Sequence, residues 1–272
     1  MNSAVQKKQI LILGMHRSGT SLVANLVAHS GISVGDELVK ASASNVDGHY
    51  EDKAIVELNE EILGRAGFRW DEPPSYQQAL ALDEGCVEKF QRYVNARSRQ
   101  SETWAAKDPR LSLTIPILHP LLSNPHYIVC YRNENAVAES LGKRDGFSTS
   151  FSVGLKKRYD DGIAQFFAAN PDVPCLPVEY DNLLNNPRDT VTKLYEFMGV
   201  EASADFIDEA AQKIRSRSDI QQSSLQQLRS ARNHQLRKLV SNPLRILTPP
   251  FWRRFMKLNR RYKRSLNRSN AR

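Results

Sequence analysis

Three cysteines in 272 residues, Cys86, Cys130 and Cys175, are too few and too far apart for a disulfide framework or a cysteine metal site. Their scarcity suits a reducing compartment. Cys130 and Cys175 fall in strand-like runs and are expected to be buried as small hydrophobes. No run approaches the ~18–20 consecutive apolar residues of a membrane span. Met1–Gln9 is polar and leads straight into the first apolar run, so no secretory leader is expected and the location is expected to be cytoplasmic. None of the six histidines joins a ligand cluster, so no metal is expected. Acidic residues are absent after Asp219, whereas Ile220–Arg272 holds 14 Lys and Arg. Of the 38 basic residues, 24 remain for residues 1–219, against 30 acidic ones. The net charge of +8 therefore belongs to the tail, while the body stands at −6. Charge gives no support to a nucleic-acid role for the body.

The apolar pattern alternates between two periods. Strand-like runs at residues 9–13, 103–106, 126–131 and 175–179 are separated by helical patterns at 20–30, 52–64, 83–99, 113–122, 136–143 and 151–169. Further helical patterns follow at 187–198 and 204–216. This alternation predicts an α/β domain over residues 1–219, with a central parallel sheet covered by helices on both faces. Residues 65–82, with Pro73-Pro74, read as a loop. Residues 220–272 form a separate basic extension. Within it, Phe251, Phe255, Leu258, Tyr262 and Leu266 share one helical face. Arg253, Arg254, Lys257, Arg260, Arg261, Lys263 and Arg264 lie opposite. Residues 244–266 are thus expected to form a basic amphipathic helix. It either lies on an anionic membrane surface, which would make the chain peripheral to the membrane, or docks on the acidic body.

The first apolar run ends in Gly14-Met-His-Arg-Ser-Gly-Thr-Ser-Leu22. A strand, a glycine-rich turn and a helix start aim backbone N–H groups at one point, which suits a phosphate or sulfate. The triphosphatase form of this loop needs Gly-Lys-Ser/Thr at its end. Here Thr20 stands at the Lys position, and the nearby cation is Arg17. A later run ends in Tyr131-Arg132, where a triphosphatase would place an Asp for magnesium, and Ser140 follows eight residues on. An Arg and a hydroxyl at a strand end make a site for a second phosphate.

Gly14–Leu22 resembles the 5′-phosphosulfate loop of sulfotransferases that use 3′-phosphoadenosine-5′-phosphosulfate (PAPS). Arg132-Asn133 with Ser140 resembles their 3′-phosphate motif. Val178-Glu-Tyr-Asp-Asn-Leu-Leu-Asn-Asn-Pro187, leading to Leu194-Tyr-Glu-Phe-Met-Gly199, is similar to a later strand and helix of that family. The resemblance covers roughly residues 9–200. It implies the P-loop-related fold, PAPS as co-substrate and 3′-phosphoadenosine-5′-phosphate (PAP) as product. It also implies cofactor binding by Arg17, Ser18, Gly19, Thr20, Ser21, Arg132, Ser140 and Tyr180.

The loop is closer to the carbohydrate- and protein-sulfating types, which carry Arg in the loop and an acidic base a few dozen residues later. Gly48-His-Tyr-Glu-Asp52 stands in that interval. The resemblance implies Glu51 as the base, with His49 as the alternative because its unperturbed pKa is about 6.5. An exposed turn ahead of an acid-rich helix start would give the same residues. Lys107-Asp-Pro-Arg110 is similar to a segment of the protein-tyrosine-sulfating branch, which implies a catalytic Lys107. The acceptor is expected to be a glycan or glycolipid hydroxyl, with His16, Phe68, Trp70, Tyr76 and Trp104 as candidates to line its site. A P-loop nucleotide kinase and a non-catalytic PAP-binding module of the same shape are the competing readings.

Overall fold

In a computed structural model the four apolar runs form one parallel sheet. The strands are β1 (Gln9–Leu13), β2 (Trp104–Lys107), β3 (Pro125–Tyr131) and β4 (Cys175–Glu179), in the order β2-β1-β3-β4. The structure describes residues 7–40, 48–81 and 84–214. The basic extension 220–272, with its expected helix at 244–266, lies outside the described residues, as does the boundary at 219. The helices are α1 (Thr20–His29), α2 (Lys53–Arg65), α3 (Tyr76–Leu80), α4 (Glu84–Gln100), α5 (Leu111–Leu118) and α6 (Glu134–Asp145). They continue with α7 (Thr149–Ala169), α8 (Tyr180–Asn185) and α9 (Pro187–Met198). Residues 204–214 are also helical. No described helix is long and apolar enough to cross a membrane.

The side-chain period of two decides which helices cover which face. Ile10, Ile12, Ala105, Ile128, Cys130 and Val178 point to one side, where α1, α9 and residues 204–214 pack. Leu11, Leu13, Trp104, Ala106, Tyr127 and Val129 point to the other, against α2, α4, α5 and α7. With both faces covered, β1, β2 and β3 are buried along nearly their whole length rather than on alternate residues, as is usual in parallel sheets. A third cluster, Met15, Leu63, Leu113, Val137, Leu141, Leu155 and Tyr159, packs beneath the loop after β1.

Three expectations are corrected. Cys175 is exposed, because β4 is an edge strand with one thinly covered face, whereas Cys130 on the inner β3 is buried. Residues 65–82 are not all loop, since Ser75 and Gln78 form a reciprocal capping box that opens the short α3. Trp104 is fully buried in the core and lines no ligand site. The second strand also runs one residue further than expected, so that Lys107 is its last residue.

The topology sets where a ligand binds. From β1 the chain crosses to β2 on one side, while β3 and β4 lie on the other. Strand order thus reverses between β1 and β3, and in open α/β sheets ligands bind in the crevice beyond the carboxyl ends at that point. Register pairs Ile12 with Lys107 and Leu13 with Val129, so β1, β2 and β3 deliver their following residues to one rim.

Candidate active site at the carboxyl ends of β1, β2 and β3

The turn after β1 is shaped by two glycines. Gly14 adopts φ +136°, and a Cβ there would lie 2.7 Å from the Cys130 carbonyl oxygen. Its N–H donates to Ser112 Oγ at 2.9 Å, fastening the loop to α5. Gly19, at φ +96°, immediately precedes α1, which has no side-chain cap and no acid in its first turn. An uncapped helix start carries a partial positive charge and unsatisfied N–H groups, which suit an anion. Arg17, between them, is held at φ +72°, an uncommon conformation for a residue with a Cβ.

The loop meets the end of β3 through specific bonds. Arg17 Nε donates to Ser140 Oγ on α6 at 2.8 Å. Arg132 donates from Nη1 to the Arg17 carbonyl at 3.1 Å, and its guanidinium lies 4.1 Å from the centre of the Tyr180 ring. Tyr180, which opens α8, packs against Gly19 in turn. The structure therefore brings Arg17, Ser18, Gly19, Thr20, Arg132, Ser140 and Tyr180 to one place. Arg132 Nε and Ser18 Oγ are buried and have no hydrogen-bond partner among the described residues. Buried polar atoms left unsatisfied are costly, and a phosphate oxygen can accept from both an Arg N–H and a hydroxyl. The donor set fits a ligand with two anionic groups.

The close fit at Gly19 gives a first expected outcome. A Cβ there would sit 2.6 Å from the Tyr180 ring, at a φ that L-residues rarely adopt. Gly19→Ala should lower stability by about 1–3 kcal/mol through strain. It should also weaken PAP binding, because the loop opens as Tyr180 is pushed back. Thermal melting and PAP calorimetry on the folded variant check both effects, and native values for both would show that the fit is loose.

The second half of the site is an ion pair. Lys107 Nζ donates to Glu51 Oε1 at 2.5 Å, to Ser21 Oγ at 3.1 Å and to the His49 carbonyl at 3.1 Å. The Lys107 side chain is 2% exposed and that of Glu51 11%. Glu51 reaches this point because its segment is pinned on both sides. Its carbonyl accepts from Val39 N at 2.8 Å, and Asp52 caps α2 by accepting from Ala54 N at 3.2 Å. Tyr50 bends the chain at φ +53°, and its hydroxyl meets the Asn25 amide of α1. Both sequence candidates for a base therefore touch Lys107, but Glu51 does so with its carboxylate and His49 with its backbone. Burial, with Lys107, Arg17 and Arg144 adding to it, holds the His49 imidazole below its ordinary pKa despite Glu51 beside it.

His16, expected only as a lining residue, packs on Trp70 at the loop's other edge. Its ring lies 4.5 Å from Trp70, and Nε2 is buried without a partner among the described residues. Burial, then Arg144, Arg110, Lys107 and Arg17, pushes its pKa well below the usual value. Phe147 and Arg144 also pack on Trp70, so His16 and Trp70 remain at the rim whereas Trp104 does not. Sequence reasoning missed Ser112, Asn59 and the packing role of Asp108. Asn59 and Asp108 are fully buried and bonded to each other at 2.8 Å. No three His, Cys, Asp or Glu residues cluster as metal ligands among the described residues.

A Caenorhabditis briggsae protein provisionally named a protein-tyrosine sulfotransferase is 23% identical over 202 residues, covering 71% of this chain and 66% of that one. A Caenorhabditis elegans protein with the same provisional name is 22% identical over 150 residues, covering 52% and 58%. The chain thus spans less than two thirds of the length of the curated relatives it matches. The sulfotransferase domain of the Synechococcus PCC 7002 olefin synthase shares the fold, with TM-score 0.51, 16% identity and 78% of each chain covered. A family model described as the sulfotransferase family matches residues 9–204. The chain belongs to the sulfotransferase family.

Proposed function

We propose that the protein transfers a sulfonate group from PAPS to an acceptor hydroxyl. The observation that carries this reading is the joining of the loop to the end of β3, where Arg17 bonds Ser140 and Arg132 bonds the Arg17 carbonyl. PAPS carries an anionic group at each end of its ribose, and this arrangement offers one cluster of donors to each. The loop amides from Ser18 to Ser21 and Arg17 bind the 5′ end. Arg132 and Ser140 hold the 3′-phosphate, which distinguishes PAPS from adenylyl sulfate. Tyr180, stacked on Arg132, would offer its ring to the adenine. When bound, PAPS supplies a sulfur centre at which a new S–O bond forms as the bond to phosphate oxygen breaks.

The remaining groups act on charge and protons. Lys107 stands between Ser21 of the loop and the Glu51 carboxylate, so it neutralises charge at the transferring group while holding the base beside it. Glu51 takes the acceptor proton, a contribution typically of ~10²–10⁴-fold. The kinase reading accounts for the loop but not for Thr20 at the Lys position or Arg132 at the end of β3.

Two acceptor classes are supported by different features. The Arg-containing loop resembles carbohydrate-sulfating types and favours a glycan or glycolipid. Lys107-Asp108-Pro109 and the names of the two nematode relatives favour a tyrosyl hydroxyl. Incubation with sulfur-labelled PAPS and each acceptor class tests the function. Label appearing in an acceptor, with equimolar PAP release, supports it, and the acceptor that takes label identifies the class. Phosphate transfer from ATP with magnesium, in place of sulfonate transfer, would overturn it.

Arg132→Ala provides a separate check on the donor site. Loss of a charge-assisted hydrogen bond should weaken PAP binding by about 1.5–3 kcal/mol, roughly 10- to 100-fold. Unchanged calorimetric affinity in the folded variant would remove Arg132 from the 3′-phosphate site.

A further inference from the structure

We infer that Asn59 is a positioning residue that keeps Glu51 aligned with Lys107, an inference that rests on the sulfonate-transfer reading above. The observation is a three-level tie between residues 51–60 and residues 107–110. At the first level Glu51 meets Lys107 at 2.5 Å. At the second, Asn59 Nδ2 donates to Asp108 Oδ2 at 2.8 Å. At the third, Arg110 Nη2 donates to Glu60 Oε1 at 2.6 Å. Arg110 also donates from its backbone N and from Nη1 to Asp108 Oδ1, each at 3.1 Å. Thr114 Oγ1 completes the set by donating to Asn59 Oδ1 at 2.7 Å.

The ties act on the pair because of chain connectivity. Lys107 and Asp108 are neighbours at the exit of β2, one reaching the loop and the other α2. Fixing Asp108 therefore fixes the backbone from which Lys107 departs. Glu51 immediately precedes the Asp52 cap of α2, and Asn59 lies about two turns into that helix. Fixing Asn59 therefore sets where the Glu51 end of the helix stands. Asn59, Asp108 and Thr114 are all fully buried, each 0% exposed. Polar groups at such depth are tolerated only when bonded, and apolar side chains of similar volume often serve stability equally well. A buried Asn–Asp–Thr set at this place is accounted for by alignment. Burial pushes the Asp108 pKa up, Arg110 pulls it back, and the Asn59 amide is among the bonds that favour the ionised form.

The test uses the full chain, sulfur-labelled PAPS and whichever hydroxyl acceptor takes label. Misplacement by about 1 Å can cost on the order of 10²-fold in rate. Asn59→Leu, which removes both of its bonds at similar volume, should lower kcat by roughly 10- to 100-fold. Acceptor KM and calorimetric PAP affinity should stay within about twofold, because neither ligand touches Asn59. Thr114→Val, which removes the bond to Asn59 and a longer one of 3.4 Å to the Arg110 carbonyl, should lower kcat several-fold in the same pattern. A folded Asn59→Leu protein with kcat within twofold of the parent would overturn the inference. So would a rate loss matched by an equal loss of PAP affinity, the mark of general damage. If Asn59→Leu does not fold, an unchanged kcat for Thr114→Val overturns it. Absence of turnover in the parent overturns the functional reading and this inference together, whereas turnover with unaffected variants overturns this inference alone.

Discussion

Lys107→Ala is expected to abolish measurable turnover and to destabilise the fold by about 3–5 kcal/mol, the cost of stripping one partner from a buried ion pair. The magnitude follows from what the ammonium touches. It meets the Glu51 carboxylate, the Ser21 hydroxyl and the His49 carbonyl, and the side chain is 2% exposed. Its removal leaves the Glu51 carboxylate without its ion-pair partner in a site that is only 11% exposed. It also removes the positive charge beside the loop. Pairing the change with Glu51→Gln separates the two effects. The double variant should recover much of the lost stability, since no unpaired carboxylate remains, and should recover none of the rate. Thermal melting and kcat are the readouts. Near-native turnover in Lys107→Ala would return the Lys107–Glu51 pair to a structural role.

Glu51→Gln alone should lower kcat by ~10²–10⁴-fold, the usual contribution of a general base. PAP affinity should remain within about twofold, because the proposed base acts on the acceptor and not on the donor. The Gln amide keeps an oxygen for Lys107, so the fold should lose less than it does in Lys107→Ala. His49→Ala is the natural control, because His49 meets Lys107 through its carbonyl, which the substitution keeps. If Glu51→Gln retains full rate while His49→Ala loses it, the base is His49. The suppressed His49 pKa bears on that outcome, since burial and three nearby cations outweigh Glu51 and weaken the ring as a proton acceptor.

The donor half of the site was legible in the sequence because its parts are local. Gly14, Arg17, Gly19 and Thr20 lie within seven residues, and an apolar run followed by such a turn has few other foldings. Arg132 and Ser140 reach the loop because β3 lies beside β1 in parallel register. The proposed catalytic half was legible only as separate residues. Glu51 and Lys107 are 56 positions apart, and nothing in their spacing says that they touch. Their contact arises from β2 pairing with β1, and from Tyr50 turning the preceding segment back through a positive φ. Asn59 escaped notice because it is a polar residue on the buried face of an otherwise amphipathic helix, a position where periodicity predicts an apolar side chain. Ser112 looked like a helix residue and became an acceptor for the loop only through packing. Cys175 and Trp104 failed in opposite directions for one reason, since exposure at a sheet's margin depends on which helices cover it. β4 is thinly covered, whereas α4 and α5 close over Trp104.

On the proposed function, the loop after β1 and the end of β3 together hold a nucleotide with phosphate groups at both its 5′ and 3′ positions. Calorimetric titration of the full chain with PAP, set against ADP with magnesium, tests it most directly. PAP should bind at a single site without added metal, should lose roughly 10- to 100-fold in affinity in Arg132→Ala, and should bind more tightly than ADP, which lacks the 3′-phosphate. Equal or tighter binding of ADP with magnesium, undisturbed by Arg132→Ala, would contradict the account.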